Sequence, residues 1–324
     1  MGLLAANLIS SACCFVPLPP PSPLRFQAKR SSQRVLKAAL TSSEKMDSGG
    51  QAAPVSKLME FPHLTAAHTD LMLYLIQTVE NGLGDHLLPS TVPTDVEYYE
   101  NKNGTSQGTL LIRHGIPSSP IDFMIASWLH LKQPQGGAFN ITNIAGYMKP
   151  SNDIPHFQFE LVQCSPTFLI FFLDLLPRTD IILHPDYLTT YYEETGLEKL
   201  RQRLAALPEV SPYFSSSLYF RKVVSSTGIL VGVKCEESES KRVEEIVREE
   251  IGPISKEVMR IWMELCLNGG RELEEDERSL MEKRDLMIKR KAIEMDLSKS
   301  MPLQFGEEVA NRVLQVIRSA FKTA

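Results

Sequence analysis

Two carboxylates stand where a carboxylate is expensive. Glu160 falls in the middle of PHFQFELVQCSPTFLIFFLDLLP (155–177), the most hydrophobic stretch of the chain. There Phe157, Phe159 and Leu161 alternate with Gln158, Glu160 and Val162, the two-residue period of a strand with two different faces. An acid in such a strand either faces water or, turned inward, must be paired or protonated. A carboxyl group held in an apolar setting keeps its proton near neutral pH and can hand it to a substrate. Asp296 closes the charged run KRKAIEMD (289–296), just before LSKSMPLQF. An acid at a helix C-terminus opposes the macrodipole, so Asp296 is either one solvated charge among many or a residue with a task. Asp174 interrupts an apolar strand and is a third candidate, with Arg178 near enough in sequence to pair with it.

The elements that would position these acids follow from periodicity. Around Ser165-Pro166 two strands are expected, the second of them, Phe168–Leu173, apolar throughout and so covered on both faces. Upstream, Val96–Glu100, Thr109–Arg113, Ile121–Leu131 and Ala138–Tyr147 read as strands separated by NKNGTSQG, IPSSP and QPQGG, with KPSNDIP before the central pair. Strands joined by short Gly/Pro turns without intervening helices imply an antiparallel meander. Thr65 is a candidate N-cap for a helix whose Leu71, Met72, Leu75, Ile76, Val79 and Leu83 share one face. After Pro177 the pattern turns helical, with a last strand pair expected at Leu218–Val224 and Ile229–Cys235. Glu239–Asn268 reads as a helix interrupted at Gly252-Pro253, Arg271–Leu297 as a charged helix broken by Met301–Phe305, and Glu307–Phe321 as a closing amphipathic helix. The fold class expected is α+β, an antiparallel sheet flanked by helices on both faces.

Residues 1–43 differ from the rest. They hold no Asp or Glu, five basic residues, seven serines and the run VPLPPPSP, the composition of an organelle transit peptide, with its prolines and small residues leaning to the chloroplast. Residues 44–57 read as a flexible linker and 58–324 as a single catalytic domain. Of the 34 basic residues, 29 lie beyond the leader, against all 39 acids, so the remainder carries a formal charge of −10. Such a chain is not a general nucleic-acid binder, and an acidic partner would need a local basic patch. The three cysteines beyond the leader are far apart, and CxxC, HExxH, GxGxxG and Walker A patterns do not occur, so no metal or nucleotide site is suggested. The longest apolar run is far too short to span a bilayer.

From Met59-Glu-Phe-Pro62 to Phe321 the sequence resembles the red chlorophyll catabolite reductases of plants. The likeness rests on the joint order and spacing of SSPIDF (118–123), NITNIAGY (140–147), FELVQ (159–163), HPDYL (184–188), LPEVSPY (207–213) and FGEEV (305–309). It implies the α/β/α sandwich of the ferredoxin-dependent bilin reductases. It also implies reduction of red chlorophyll catabolite, an open-chain tetrapyrrole, at the C1/C20 double bond, giving the primary fluorescent chlorophyll catabolite. Reduced ferredoxin supplies two electrons one at a time, with no bound flavin, nicotinamide or metal. Further expectations are a homodimer, contact with other chlorophyll-breakdown enzymes, and residence in the chloroplast stroma with a mitochondrial pool besides. Two alternatives stand beside this reading: a phytobilin-forming bilin reductase, and a non-catalytic tetrapyrrole carrier.

By the resemblance, Glu160 matches a carboxylate facing the tetrapyrrole and Asp296 a second one in the segment that closes the pocket. Tyr213, Phe214 and Ser215 match the loop that contacts substrate, here YFSSS where the family also shows YVSPS. Val224 falls where the family varies between Val and Phe, a position linked to which face of C1 is protonated. Met295 stands where the family can carry an acid. Each electron added to a conjugated tetrapyrrole raises its basicity, so each must be matched by a proton, and Glu160 and Asp296 are the donors or the positioning acceptors. Ferredoxin is acidic, which makes Lys289, Arg290 and Lys291, one to two turns before Asp296, the expected docking bases, with Arg221 and Lys222 beside the last strand pair as further bases.

Overall fold

The structure is a computed structural model that describes residues 57–323. The expected leader, and the expected linker up to residue 56, lie outside the described residues. Nine strands form one antiparallel sheet: β1 (Tyr98–Glu100), β2 (Ser106–Thr109), β3 (Leu111–His114), β4 (Ile121–Lys132), β5 (Ala138–Met148), β6 (His156–Ser165), β7 (Phe168–Leu176), β8 (Val210–Pro212) and β9 (Ile229–Lys234). Their order is β1-β2-β4-β5-β6-β7-β9-β8, with β3 following β2 along the same edge of β4. The meander from β4 to β7 matches the sequence reading because the turn segments are chemically unambiguous. In QPQGG, Gly136 and Gly137 take φ of +99° and +79°, which a side chain would resist.

Among the described residues ten α-helices cover the sheet: α1 (Ala66–Leu83), α2 (Thr94–Glu97), α3 (Pro185–Leu188), α4 (Leu197–Ala205), α5 (Leu218–Val223), α6 (Ser240–Ile246), α7 (Gly252–Asn268), α8 (Glu275–Ala292), α9 (Ser298–Phe305) and α10 (Glu307–Phe321). On the first face, α1, α6 and α7 pack on Trp128, Ile144, Phe157, Phe159, Leu161 and Phe171. Trp262 of α7 lies so close to β5 that a Cβ on Gly146 would fall 2.4 Å from its ring, so only glycine fits there. On the second face, α5, α8, α9 and α10 cover Phe123, Ile125, Tyr147, Val162, Ile170 and Phe172. The strands are therefore covered on both sides, as the unbroken apolar run of β7 requires.

Four expectations are corrected. Leu218–Val223 is a helix, not a strand: the Ser217 hydroxyl accepts from the Phe220 N–H at 3.1 Å and starts it. Gly252-Pro253 does not interrupt the helix there. A π turn at Val247–Ile251 precedes it, and Pro253 occupies the first turn of α7, where a missing N–H costs least. Met301–Phe305 does not end the charged helix either. A second π turn, Ile293–Leu297, joins α8 to α9, which continues through Pro302. At the opposite edge the expected strand Val96–Glu100 shortens to β1 behind the single turn of α2.

Candidate active site

Strand register gathers polar side chains on the second face. Ser127, Asn143, Glu160 and Phe172 stand opposite one another across β4, β5, β6 and β7, and the next row holds Ile125, Ala145, Gln158 and Asp174. Ser127, Asn143, Gln158, Glu160 and Asp174 are all buried, Glu160 completely at 0% exposure. Glu160 thus turns inward, because its neighbours Phe159 and Leu161 claim the first face. Around the stripe the lining is apolar or aromatic, from Val162 and Ile170 to Phe172 and Tyr147. The Tyr147 hydroxyl is held well above the usual phenol range, first by burial and then by the carboxylates of Asp285 and Glu160.

Asp174 is anchored by the turn that follows α5. Its oxygens accept from the Ser225 N–H at 2.7 Å and the Ser225 hydroxyl at 2.5 Å. Burial outweighs these bonds and lifts its carboxyl to about 6. Arg178 is not its partner, contrary to the sequence reading. The Arg178 guanidinium donates instead to Asp285 of α8, at 2.6 Å from Nη2 to Oδ2, and to the carbonyls of Asn152, Ile154 and Lys149. His156 completes this staple. Its Nδ1 accepts from the Met148 N–H at 3.0 Å, which leaves Nε2–H to donate to Asp285 at 3.1 Å. Burial lowers His156 to about 4, so the ring is neutral at ordinary pH, while His156 and Arg178 hold the Asp285 carboxyl far below its usual range.

None of the remaining expected residues belongs to these two strand rows. Asp296 lies by its backbone in the π turn Ile293–Leu297, whose Ile293 and Leu297 are buried in the second-face core, and its side chain lies outside the described residues. Tyr213 is half-buried against the same core, Phe214 is 75% exposed, and the buried Ser215 accepts from the Ser217 N–H at 3.2 Å. Val224 caps α5 in an extended conformation and packs over Gly228, where an added Cβ would meet both Val224 and Asp174. Val224 is therefore a neighbour of the Asp174–Ser225 anchor, at a helix end and not in a strand.

Of the three bases expected to form a docking run, Lys289 does not reach the surface. It is buried, donates to Asp122 at 2.9 Å and lies over the rings of Phe123 and Tyr147. Arg290 is exposed, and Lys291 is half-buried and paired with Glu294 at 2.8 Å. Arg221 and Lys222 are exposed on α5, and Tyr219 of that helix lies within electrostatic reach of Arg284 and Lys291 of α8.

Sequence reasoning missed Asn143, Gln158 and the Asp285–Arg178–His156 staple. The alternation that singled out Glu160 already carried Gln158. The staple joins residues up to 129 apart and left no local signal. A cavity of about 780 Å³ opens beside it, lined among others by Arg178, Tyr187, Tyr191, Arg271 and Arg284, and contains none of the stripe residues. Among the described residues no helix is long and apolar enough to cross a membrane.

The arrangement is that of a known class. The chain is similar in fold to tomato phytochromobilin synthase solved in complex with biliverdin, with a TM-score of 0.58 over 78% of this chain and 82% of that one at 16% identity. A family model described as red chlorophyll catabolite reductase matches residues 67–319, and the chain belongs to that family. It is 44% identical to the chloroplastic red chlorophyll catabolite reductase of Arabidopsis thaliana, over 82% of this chain and 83% of the relative. To the chloroplastic reductase 1 of Oryza sativa it is 41% identical, over 79% and 78% respectively. To that of Hordeum vulgare it is 41% identical, over 62% of this chain and 98% of the relative.

Proposed function

We propose that the protein reduces red chlorophyll catabolite at its C1/C20 double bond, taking two electrons one at a time from reduced ferredoxin and two protons from its own carboxyl groups. The observation that carries this reading is Glu160: a carboxyl group at 0% exposure in an aromatic and aliphatic setting, on the sheet face roofed by the C-terminal helices of a chain in this family. A carrier needs shape and contacts for a propionate, whereas a reductase also needs proton donors inside its pocket. Asp296, in the segment that roofs the same face, is the second donor. Ser215 and the backbone N–H groups of residues 214–216 serve the propionate. Because the stripe is buried, a ligand of tetrapyrrole size enters only when the roof or that loop moves aside.

Ferredoxin docks on the bases of α5 and α8, the exposed Arg221, Lys222 and Arg290 with the half-buried Lys291, where an electron reaches the stripe from outside. Val224, beside the Asp174 anchor, governs which face of C1 meets the donor. The protein works in the chloroplast stroma as a homodimer, delivered there by residues 1–43. The chloroplast placement is supported by the chloroplastic relatives and by the composition of residues 1–43. The test is anaerobic incubation of the protein with red chlorophyll catabolite and reduced ferredoxin. A blue-fluorescent product is expected. Pigment bound but unreduced would make the protein a carrier, and turnover of biliverdin instead would make it a phytobilin-forming reductase.

A further inference from the structure

Two amides on the stripe have no part in the chemistry above. Asn143 and Gln158 are each 1% exposed, yet Asn143 Oδ1 and Gln158 Nε2 find no hydrogen-bond partner among the described residues. Buried polar atoms are normally paired, and leaving one open lowers stability, so such a pair on one face calls for an explanation. Their placement is specific. Asn143 stands directly across from Glu160, and Gln158 precedes Glu160 by two on the same strand, so both amides adjoin the carboxyl group, one across the strands and one along its own. The orientation of Asn143 is fixed, since its Nδ2 donates to the Phe159 carbonyl at 3.0 Å and only the acceptor remains open. Gln158 faces Asp174 across the strands, but both Asp174 oxygens already accept from Ser225, and the open atom of Gln158 is a donor.

The site thus offers one acceptor and one donor next to an acid, in apolar surroundings. We propose that Asn143 and Gln158 are ligand-binding amides: Asn143 Oδ1 accepts from a ring N–H and Gln158 Nε2 donates to a ring carbonyl on the same edge of the pigment. A cyclic amide, as at the terminal ring of an open-chain tetrapyrrole, presents that N–H and C=O pair. Paired this way, the edge is held against the proton donor in one register. A pigment lacking either group leaves a buried amide open and is rejected strongly, as happens wherever a site is built to hydrogen-bond its substrate. This inference rests on the tetrapyrrole reading above and assigns its recognition.

The experiment pairs binding with stability. Gln158→Met and Asn143→Leu replace each amide by an apolar side chain of similar size. Absorbance titration with red chlorophyll catabolite, and with biliverdin as a second probe, should show a Kd raised tenfold or more in each variant. Without pigment, the melting temperature of Gln158→Met should stay unchanged or rise, because an open buried donor has been removed. A merely structural amide gives the opposite pattern, a lowered melting temperature with unchanged affinity, and that result overturns the proposal. If Gln158→Met does not fold, Gln158→Asn decides by the same titration: it keeps the donor on a shorter arm and should still weaken binding, and wild-type affinity would overturn the proposal. Wild-type protein that binds neither pigment would overturn the proposed function and this inference together; wild-type binding with unaffected variants overturns the amide assignment alone.

Discussion

Odd and even residues of β6 are equally buried and do opposite things. Phe157, Phe159 and Leu161 join Phe171 and Trp262 in a first-face core that is almost wholly apolar. Its buried polar pair, His68 and Thr142, is joined at 2.7 Å, and burial drives His68 down to about 3, so it is neutral. Gln158 and Glu160, a residue away on either side, face a roof instead, among amides and acids. Burial alone therefore does not mark a site. What separates the faces is their polar content: the second carries a stripe of amides and carboxyl groups, the first a histidine–threonine pair.

The comparison can be broken most heavily on the first face. Phe159→Ala should cost about 3–5 kcal/mol of stability, read by denaturant unfolding, while the folded fraction binds pigment as before. Weakened pigment affinity at unchanged stability would mean the faces are not independent. On the second face the pattern reverses. Glu160→Gln and Asp296→Asn should each lower turnover by about a hundredfold or more, the usual worth of a positioned proton donor, with pigment binding mostly kept. Full activity in both variants would remove them from the proposed mechanism.

Asp174 sharpens the comparison through pH. Its folded carboxyl at about 6 lies above the ordinary value of 3.8, so between these pH values the folded state holds the proton more tightly than the unfolded one. The contribution is fully present below the ordinary value and is lost as pH rises through about 6. Relative to wild type, Asp174→Asn should gain as pH rises over that window, by at most about 3 kcal/mol, two units of pKa at roughly 1.4 kcal/mol each. A pH-independent difference would show that Ser225 offsets the burial completely. The smallest effect concerns the rim: ferredoxin-driven turnover should fall severalfold with rising salt, and charge reversal at Arg221 and Arg290 should do the same without altering pigment affinity. Salt-independent turnover would move docking elsewhere.

Much of this was legible in the chain. The β4–β7 meander follows from its Gly/Pro turns, and Glu160 from a two-residue period beside an apolar run. Gln158 obeys the same period, but an amide, unlike an acid, carries no charge whose burial marks it out in sequence. Lys289, Arg290 and Lys291 are alike in sequence. Only the third dimension shows that one lies inside, held by Asp122 and two aromatic rings. LYFRKV was too short for periodicity to separate strand from helix, and the decisive signal was the capping Ser217. Arg178 was matched to its near neighbour Asp174, whereas its partner lies 107 residues away in sequence.

The π turn at Ile293–Leu297 sets the phase of everything after it. Such a turn takes up an extra residue, and one residue of an α-helix is about 100° of rotation. Asp285, Ile288 and Ala292 point inward before the turn, and Met301 and Phe305 point inward after it. Deleting a single residue within 293–297 would leave a continuous helix but swing α9 about a third of the way round, carrying Met301 and Phe305 off the core. The roof over Glu160 is therefore keyed to residue count as much as to residue type, and a change of length there would re-aim it in one step.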